Sequence, residues 1–156
     1  MSDDIKQFNV RVYGLIVNEN REILLSDEYQ MDMKMTKFPG GGLKFGEGTI
    51  DCLKREALEE FGQKIEVLDH YYTLDYFQPS MFSKDYQLLS IYYKARFIGP
   101  VQFRISIIPF DFHELKNGHI SFRWKSLDDI SADDMTLPVD KLVADMLSHE
   151  FKINSG

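Results

Sequence analysis

Cys52 is the only cysteine in this chain, so an intrachain disulfide is ruled out. No apolar run approaches the roughly 18 residues of a membrane span. The first residues, MSDDIKQ, lack the apolar core of a signal peptide, which makes the cytoplasm the expected compartment. Positive charge is also scarce: 18 Lys and Arg stand against 25 Asp and Glu, for a net charge of −7. Without a Lys/Arg cluster there is no basic footprint for phosphate-backbone contacts, so general nucleic-acid binding is excluded. The same charge repels a free polyphosphate unless a bound cation reverses the field locally. Linkers, repeats and low-complexity runs are absent as well, and 156 residues with 44% apolar and 28% charged content predict one globular domain spanning residues 1–156.

What the chain does contain is a glycine loop run directly into a glutamate-rich helix, GGLKFGEGTIDCLKREALEEFGQ from Gly41 to Gln63. Thr49 is expected to cap a helix over 50–61, and Gly62 to end it in a left-handed conformation. Helical periodicity places Ile50, Leu53, Ala57, Leu58 and Phe61 on a stripe for burial against a sheet. Glu56, Glu59 and Glu60 share another face within roughly a 100° arc, where like charges repel. A divalent cation relieves that repulsion, and carboxylate oxygen is the donor Mg²⁺ prefers. Arg55 precedes Glu59 by four residues and can pair with it. Taken alone, such a run also reads as a solvated, salt-bridged helix face.

The loop before the helix favours the metal reading. Pro39, Gly40, Gly41 and Gly42 let the backbone approach a metal or phosphate closely. Two familiar phosphate motifs fail here. The nucleotide-binding phosphate loop needs Lys and a hydroxyl residue after its last glycine, whereas Glu47 and Gly48 follow Gly46. The dinucleotide fingerprint needs a third glycine that neither the Gly40/Gly42 pair nor the Gly46/Gly48 pair has.

The segment resembles the Nudix box, G-x5-E-x7-R-E-U-x-E-E-x-G-U with U apolar. Gly41, Glu47, Arg55, Glu56, Ala57, Glu59, Glu60 and Gly62 fill its fixed positions, and only Gln63 departs, standing where an apolar residue is usual. Lys44 is a milder departure where many members carry an acid, and it bears on how many metals bind. The resemblance implies Mg²⁺-dependent hydrolysis of a pyrophosphate bond in a nucleoside diphosphate linked to another moiety, with water as nucleophile and Mn²⁺ as an alternative cation. It implies Glu56 and Glu60 as metal ligands, Glu59 as a further ligand or base, and the Gly40 carbonyl as another donor. Arg55 would orient a glutamate and Glu47 would brace loop and helix. Gly41, Gly42, Phe38 and Tyr76 are the expected substrate contacts.

Strands surround the box. Residues 8–17 and 22–26, joined by turn-forming Asn18, Glu19 and Asn20, read as a hairpin. Residues 36–38 lead into the glycine loop, 65–77 and 87–97 read as central strands, and 120–125 as the last one. Pro138 is placed to open a final helix with Val139, Leu142, Val143, Met146 and Leu147 on its packing face. The order implies an α/β (α+β) fold, a mixed sheet sandwiched between helices, which is also what the resemblance implies.

Outside the box, His70, His113, His119 and His149 show no metal-ligand spacing. Glu114, in a polar segment with Asp111 and His113, is the candidate for a distant carboxylate acting as metal ligand or base. Tyr71, Tyr72, Tyr76 and Phe77 can stack on a base or fill the core. Pro79 lies one residue beyond the place where ADP-ribose-cleaving relatives carry a proline, and Ser80 stands where dinucleoside-polyphosphate hydrolases carry a tyrosine. Cys52 reads as a small packing residue. The expected ligand is a nucleotide, either a nucleoside triphosphate or a nucleotide sugar such as ADP-ribose, and a homodimer is the common assembly of the family. The alternative function is a non-catalytic nucleotide sensor, against which the three intact glutamates argue.

Overall fold

The computed structural model describes residues 4–155, and side chains through residue 151. Seven strands run in chain order as β1 (Gln7–Ile16), β2 (Glu22–Gln30), β3 (Met33–Lys37), β4 (Gly40–Gly42), β5 (Ile65–Thr73), β6 (Tyr86–Phe97) and β7 (Ile120–Ser126). Two α-helices are α1 (Thr49–Phe61) and α2 (Pro138–Ser155). The strands form two sheets, β4-β1-β6-β5 and β3-β2-β7. Among the described residues only β1 and β6 pair in parallel. A parallel pair needs a long crossover, and α1 lies in it. No helix among the described residues is long and apolar enough to cross a membrane.

Strand alternation divides the core between the helices. Val12 and Ile16 of β1 and Leu24 of β2 pack with Cys52, Leu53, Ala57 and Phe61 of α1. On the opposite face, Tyr13, Leu15, Ile23 and Leu25 pack with Val139, Val143, Ala144 and Leu147 of α2. The expected sandwich is therefore present, with its sheet in two pieces.

Residues 8–17 and 22–26 do not form the expected hairpin. Both edges of β1 are already occupied by β4 and β6, so β2 pairs with β3 and β7 in the other sheet. A single bridge, Val17 to Ile23, survives between them. The turn chemistry is real, since Asn18 Oδ1 accepts from the N–H groups of Asn20 and Glu22, but the turn carries the chain from one sheet to the other. Strand β5 ends at Thr73, short of the expected 77, after register irregularities around His70.

Helix α1 differs from expectation at two points. Its N-cap is Gly48 with extended backbone, and Thr49 Oγ1 instead lies 2.7 Å from the Tyr93 hydroxyl. Its buried stripe is also turned toward the glutamates: Ile50 and Leu58 are 42% and 49% exposed, while Cys52 is fully buried. The reason is that Glu56 and Glu60 take part of the inward arc. Phe61 anchors the helix end among Phe97, Phe103 and Phe122, with ring centroids 4.7–5.3 Å away. Burial of such a ring contributes about 1.5–3 kcal/mol. Gly62 closes the helix at φ 64°, as its place in the sequence predicts.

Gln63 follows, and it is buried without being unsatisfied. Its Nε2 donates to the Pro100 and Ile98 carbonyls at 3.0 and 3.3 Å, and its Oε1 accepts from Gln102 N at 3.1 Å. The departure from the box is thus a tether for the segment after β6.

Candidate active site

Strand β4 brings the glycines alongside β1 in the register Arg11 to Gly42, Val12 to Gly41 and Tyr13 to Gly40. At Gly40 (φ 153°) a Cβ would overlap the Val12 carbonyl oxygen, and at Gly41 it would overlap the Glu56 carboxylate. The absence of side chains is what lets α1 lay Glu56 against the strand.

Arg55 organises the glutamates. Its Nε and Nη2 donate to the two oxygens of Glu47 at 2.9 and 2.7 Å, and Nη2 also donates to the Gly42 carbonyl at 2.9 Å. Its Nη1 donates to Glu56 at 3.0 Å and to Glu59 at 3.2 Å. All five guanidinium N–H groups are thereby matched. Glu47 also accepts from the backbone N–H of Lys44 at 2.9 Å. The Arg55 hydrogen bonds hold the Glu47 carboxyl down at about 2 and push the Arg55 pKa up.

Glu59 is the exposed member of the set, with the Lys44 ammonium 4.0 Å from its carboxylate. Glu60 faces inward, and burial raises its pKa to about 7, with Glu28 and Glu56 adding to the rise and Lys37 and Arg11 opposing it. A divalent cation would relieve this accumulation of charge. The donors available are oxygens, as Mg²⁺ requires. No three acidic, His or Cys side chains among the described residues stand together as a ready cluster, and Mg²⁺ needs none, since it commonly takes one or two carboxylates and fills the rest with water and phosphate.

A cavity of about 300 Å³ is lined by Glu28, Lys37 and Arg11, groups that act electrostatically on Glu60. Met31, Met35, Met81, Phe82, Leu88 and Val139 make its apolar walls, and Asn9, Gln30, Gln78 and Ser80 add polar groups. Tyr13, Tyr92 and Asp140 also line it. The Tyr92 hydroxyl donates to Asp140 at 2.6 Å, and burial lifts the Asp140 carboxyl to about 6. Arg11, Glu28 and Lys37 belong to the same wall. Lys37 Nζ lies 3.2 Å from Glu28, with both side chains nearly buried. Burial works against the Lys37 charge, but Glu28, Tyr13 and Glu60 together outweigh it and the pKa is raised.

Glu47, Arg55, Glu56, Glu59, Glu60 and the glycines Gly40, Gly41 and Gly42 therefore come together as the sequence implies. Three other expected residues are placed apart from these. Phe38 is 0% exposed and packs edge-on against Tyr92, 6.2 Å between centroids, so it is core and has no surface to offer a substrate. Tyr76 is exposed and lies outside the cavity wall, where Gln78, Ser80, Met81 and Phe82 of the same segment stand. Glu114 is exposed, with its carbonyl 3.2 Å from His119 Nδ1, and no hydrogen bond or ion pair joins it to α1 among the described residues. The carboxylate that a strand does bring toward Glu60 is Glu28. Sequence reasoning missed it along with Arg11, Lys37 and Asp140. Two i, i+2 pairs on the strands were the signal: Arg11 shares a face with Tyr13, and Glu28 shares one with Ser26.

Residues 7–146 match the NUDIX domain. The chain belongs to the NUDIX family, and in class it is a Nudix hydrolase. No curated protein sequence matches it. Among solved structures, a NUDIX hydrolase from Nitrosomonas europaea superposes with a TM-score of 0.65 at 22% identity, covering 92% of this chain and 90% of that one. A MutT protein from Methanosarcina mazei Go1 superposes with a TM-score of 0.65 at 21% identity, covering 97% and 98%. An ADP-ribose pyrophosphatase from Streptococcus suis gives 0.57 at 21%, covering 92% and 91%. At these identities the likeness is one of fold.

Proposed function

We propose that this protein hydrolyses a pyrophosphate bond in a nucleoside diphosphate linked to another moiety, with Mg²⁺ as cofactor and Mn²⁺ as a substitute. The observation that carries the reading is the Arg55 network, which holds Glu47, Glu56 and Glu59 around the glycine strand, with Glu60 half-buried and in electrostatic reach of Lys37 and Glu28 of the cavity wall.

In this reading Glu56 and Glu60 hold the cation, and the Gly40 carbonyl is a further donor. A cation held by these residues would supply an activated water and would neutralise charge on the leaving phosphate. Glu59, exposed and held on one side by Arg55, serves as a further ligand or as the base that takes the water proton. Glu47 and Arg55 keep these carboxylates in place. Gly41 and Gly42 leave room for the phosphates, and the cavity receives the organic end of the substrate. A nucleoside triphosphate is one candidate, and a nucleotide sugar such as ADP-ribose is the other. The name of the ADP-ribose pyrophosphatase among the structural relatives supports the second of these classes.

The test is product analysis by ion-exchange chromatography, with and without Mg²⁺. The substrates are ADP-ribose, the common nucleoside triphosphates and their oxidised purine forms, and the controls are Glu56→Gln and Glu60→Gln. Metal-dependent turnover lost in both variants supports the reading. Intact substrates combined with a raised melting temperature would replace it with a nucleotide sensor.

A further inference from the structure

The cavity wall holds two cations, and they differ in one respect. Lys37 is neutralised by Glu28 at 3.2 Å. Arg11 forms no ion pair among the described residues. Its Nε donates to the Tyr13 hydroxyl at 2.8 Å, and the Tyr13 ring lies 5.7 Å from its guanidinium carbon. Neither Nη1 nor Nη2 donates a hydrogen bond within the described protein, which leaves four N–H groups on a side chain that is anchored and largely buried.

The position of that fork is specific. Arg11 is paired with Gly42 across the β1–β4 ladder, and its Nη1 stands 3.8 Å from where a Gly42 Cβ would be. Gly41, the next residue along β4, turns to the opposite face, where it meets the Glu56 carboxylate, and the Arg11 guanidinium interacts electrostatically with Glu56 and Glu60 around this edge of the sheet. Arg11 therefore spans the boundary between the cavity, through Tyr13, and the helix glutamates, through the glycine strand. A guanidinium fork matches phosphate oxygens two at a time, which an ammonium cannot do.

We propose that Arg11 is a binding residue for the substrate's phosphate chain, gripping it between the organic group in the cavity and the carboxylates of α1. This deepens the hydrolase reading and rests on it for the direction in which the substrate lies. It also orders the substrate: the group filling the cavity carries its phosphates directly, as a nucleoside triphosphate does. Lys37, already matched by Glu28, contributes its charge to the wall without an open fork.

The experiment is a calorimetric titration of the protein in saturating Mg²⁺ with inorganic tripolyphosphate. Wild type is compared with Arg11→Met, Arg11→Lys and Tyr13→Phe, each checked for folding by its thermal midpoint. Arg11→Met is expected to weaken binding at least tenfold, Arg11→Lys about threefold to tenfold, and Tyr13→Phe, which loses the anchor but keeps the fork, less than threefold. On a substrate that the wild type cleaves, Arg11→Met raises KM by a similar factor with kcat little changed. Equal affinity in wild type and Arg11→Met overturns the proposal, as does no binding to wild type, or a loss in Tyr13→Phe as large as in Arg11→Met. If Arg11→Met fails to fold, Arg11→Lys alone decides. A wild type that cleaves nothing sinks the hydrolase reading and leaves this titration standing, whereas unchanged tripolyphosphate binding with hydrolysis intact sinks only the role of Arg11.

Discussion

Glu47 and Arg55 meet in a two-point fork, Nε to Oε2 at 2.9 Å and Nη2 to Oε1 at 2.7 Å, and the same guanidinium reaches Glu56, Glu59 and the Gly42 carbonyl. A lysine ammonium has three donors and no fork, so it cannot serve all these acceptors. Arg55→Lys is therefore expected to keep the fold but to slow turnover about 10²-fold, the scale set by misplacing catalytic groups by an ångström. Steady-state kinetics beside a thermal melt checks this. A lysine variant as fast as wild type would show that the fork does not hold the glutamates in working position.

Gly41 and Gly40 separate catalysis from stability. An alanine methyl at 41 meets the Glu56 carboxylate, a side chain that can swing away, whereas at 40 it meets the backbone of Val12 and Tyr13, which cannot. Gly41→Ala should fold with a melting temperature near wild type and lose most of its turnover. Gly40→Ala should lose stability on the order of 3 kcal/mol by urea unfolding. If both variants unfold alike, the glycines serve the sheet and not Glu56.

The part of the site that lies on α1 was legible because helical spacing converts positions into faces, and Arg55, Glu56, Glu59 and Glu60 fall where that rule puts them. Gly62 was legible because glycine tolerates the left-handed conformation that ends a helix. The direction of burial was not: reading apolar residues alone puts Ile50 and Leu58 inside, while the fold turns the glutamate edge inward and leaves both exposed. The strand contributions were hidden more deeply. Arg11, Glu28 and Lys37 sit at alternating strand positions that look solvent-facing, and only the pairing of β1 with β4 and of β2 with β3 brings them to one wall. The turn after β1 was recognisable from Asn18, but that it changes sheets depends on which edges of β1 are already taken.

Asp27 is fully buried and paired with Arg123, whose Nε donates at 2.7 Å. It also accepts from the Thr36 hydroxyl at 2.7 Å and from the Phe110 N–H at 3.2 Å, where φ is 53°. It thus ties β2 to β3, to β7 and to the long β6–β7 connection. Removing one partner of such a pair leaves the other charge buried and costs about 3–5 kcal/mol. Asp27→Asn is expected to show that loss in urea unfolding, and adding Arg123→Met should recover a substantial part of it. A double variant no better than the single would mean that the hydrogen bonds to Thr36 and Phe110, and not the charge, are what matter.

Asp140 gives stability a pH dependence of known sign. Burial raises its carboxyl from 3.8 to about 6, while hydrogen bonds from Tyr92 and the Phe38 N–H pull the other way. The folded state therefore holds this proton more tightly than the unfolded chain. Its contribution is full below the unfolded pKa of 3.8 and is lost as pH rises through about 6. The span of about two units corresponds to at most about 3 kcal/mol. Asp140→Asn cannot titrate, so its stability relative to wild type should rise between pH 4 and pH 7, whatever its offset from the changed hydrogen bonds. Urea unfolding of both proteins at pH 4.5, 5.5 and 7.5 reads this slope, which the other carboxylates share and so cancel in the difference. A difference that stays flat across the three values would mean that Asp140 is ionised in the fold at all of them, held by Tyr92 and Phe38 more strongly than burial opposes it.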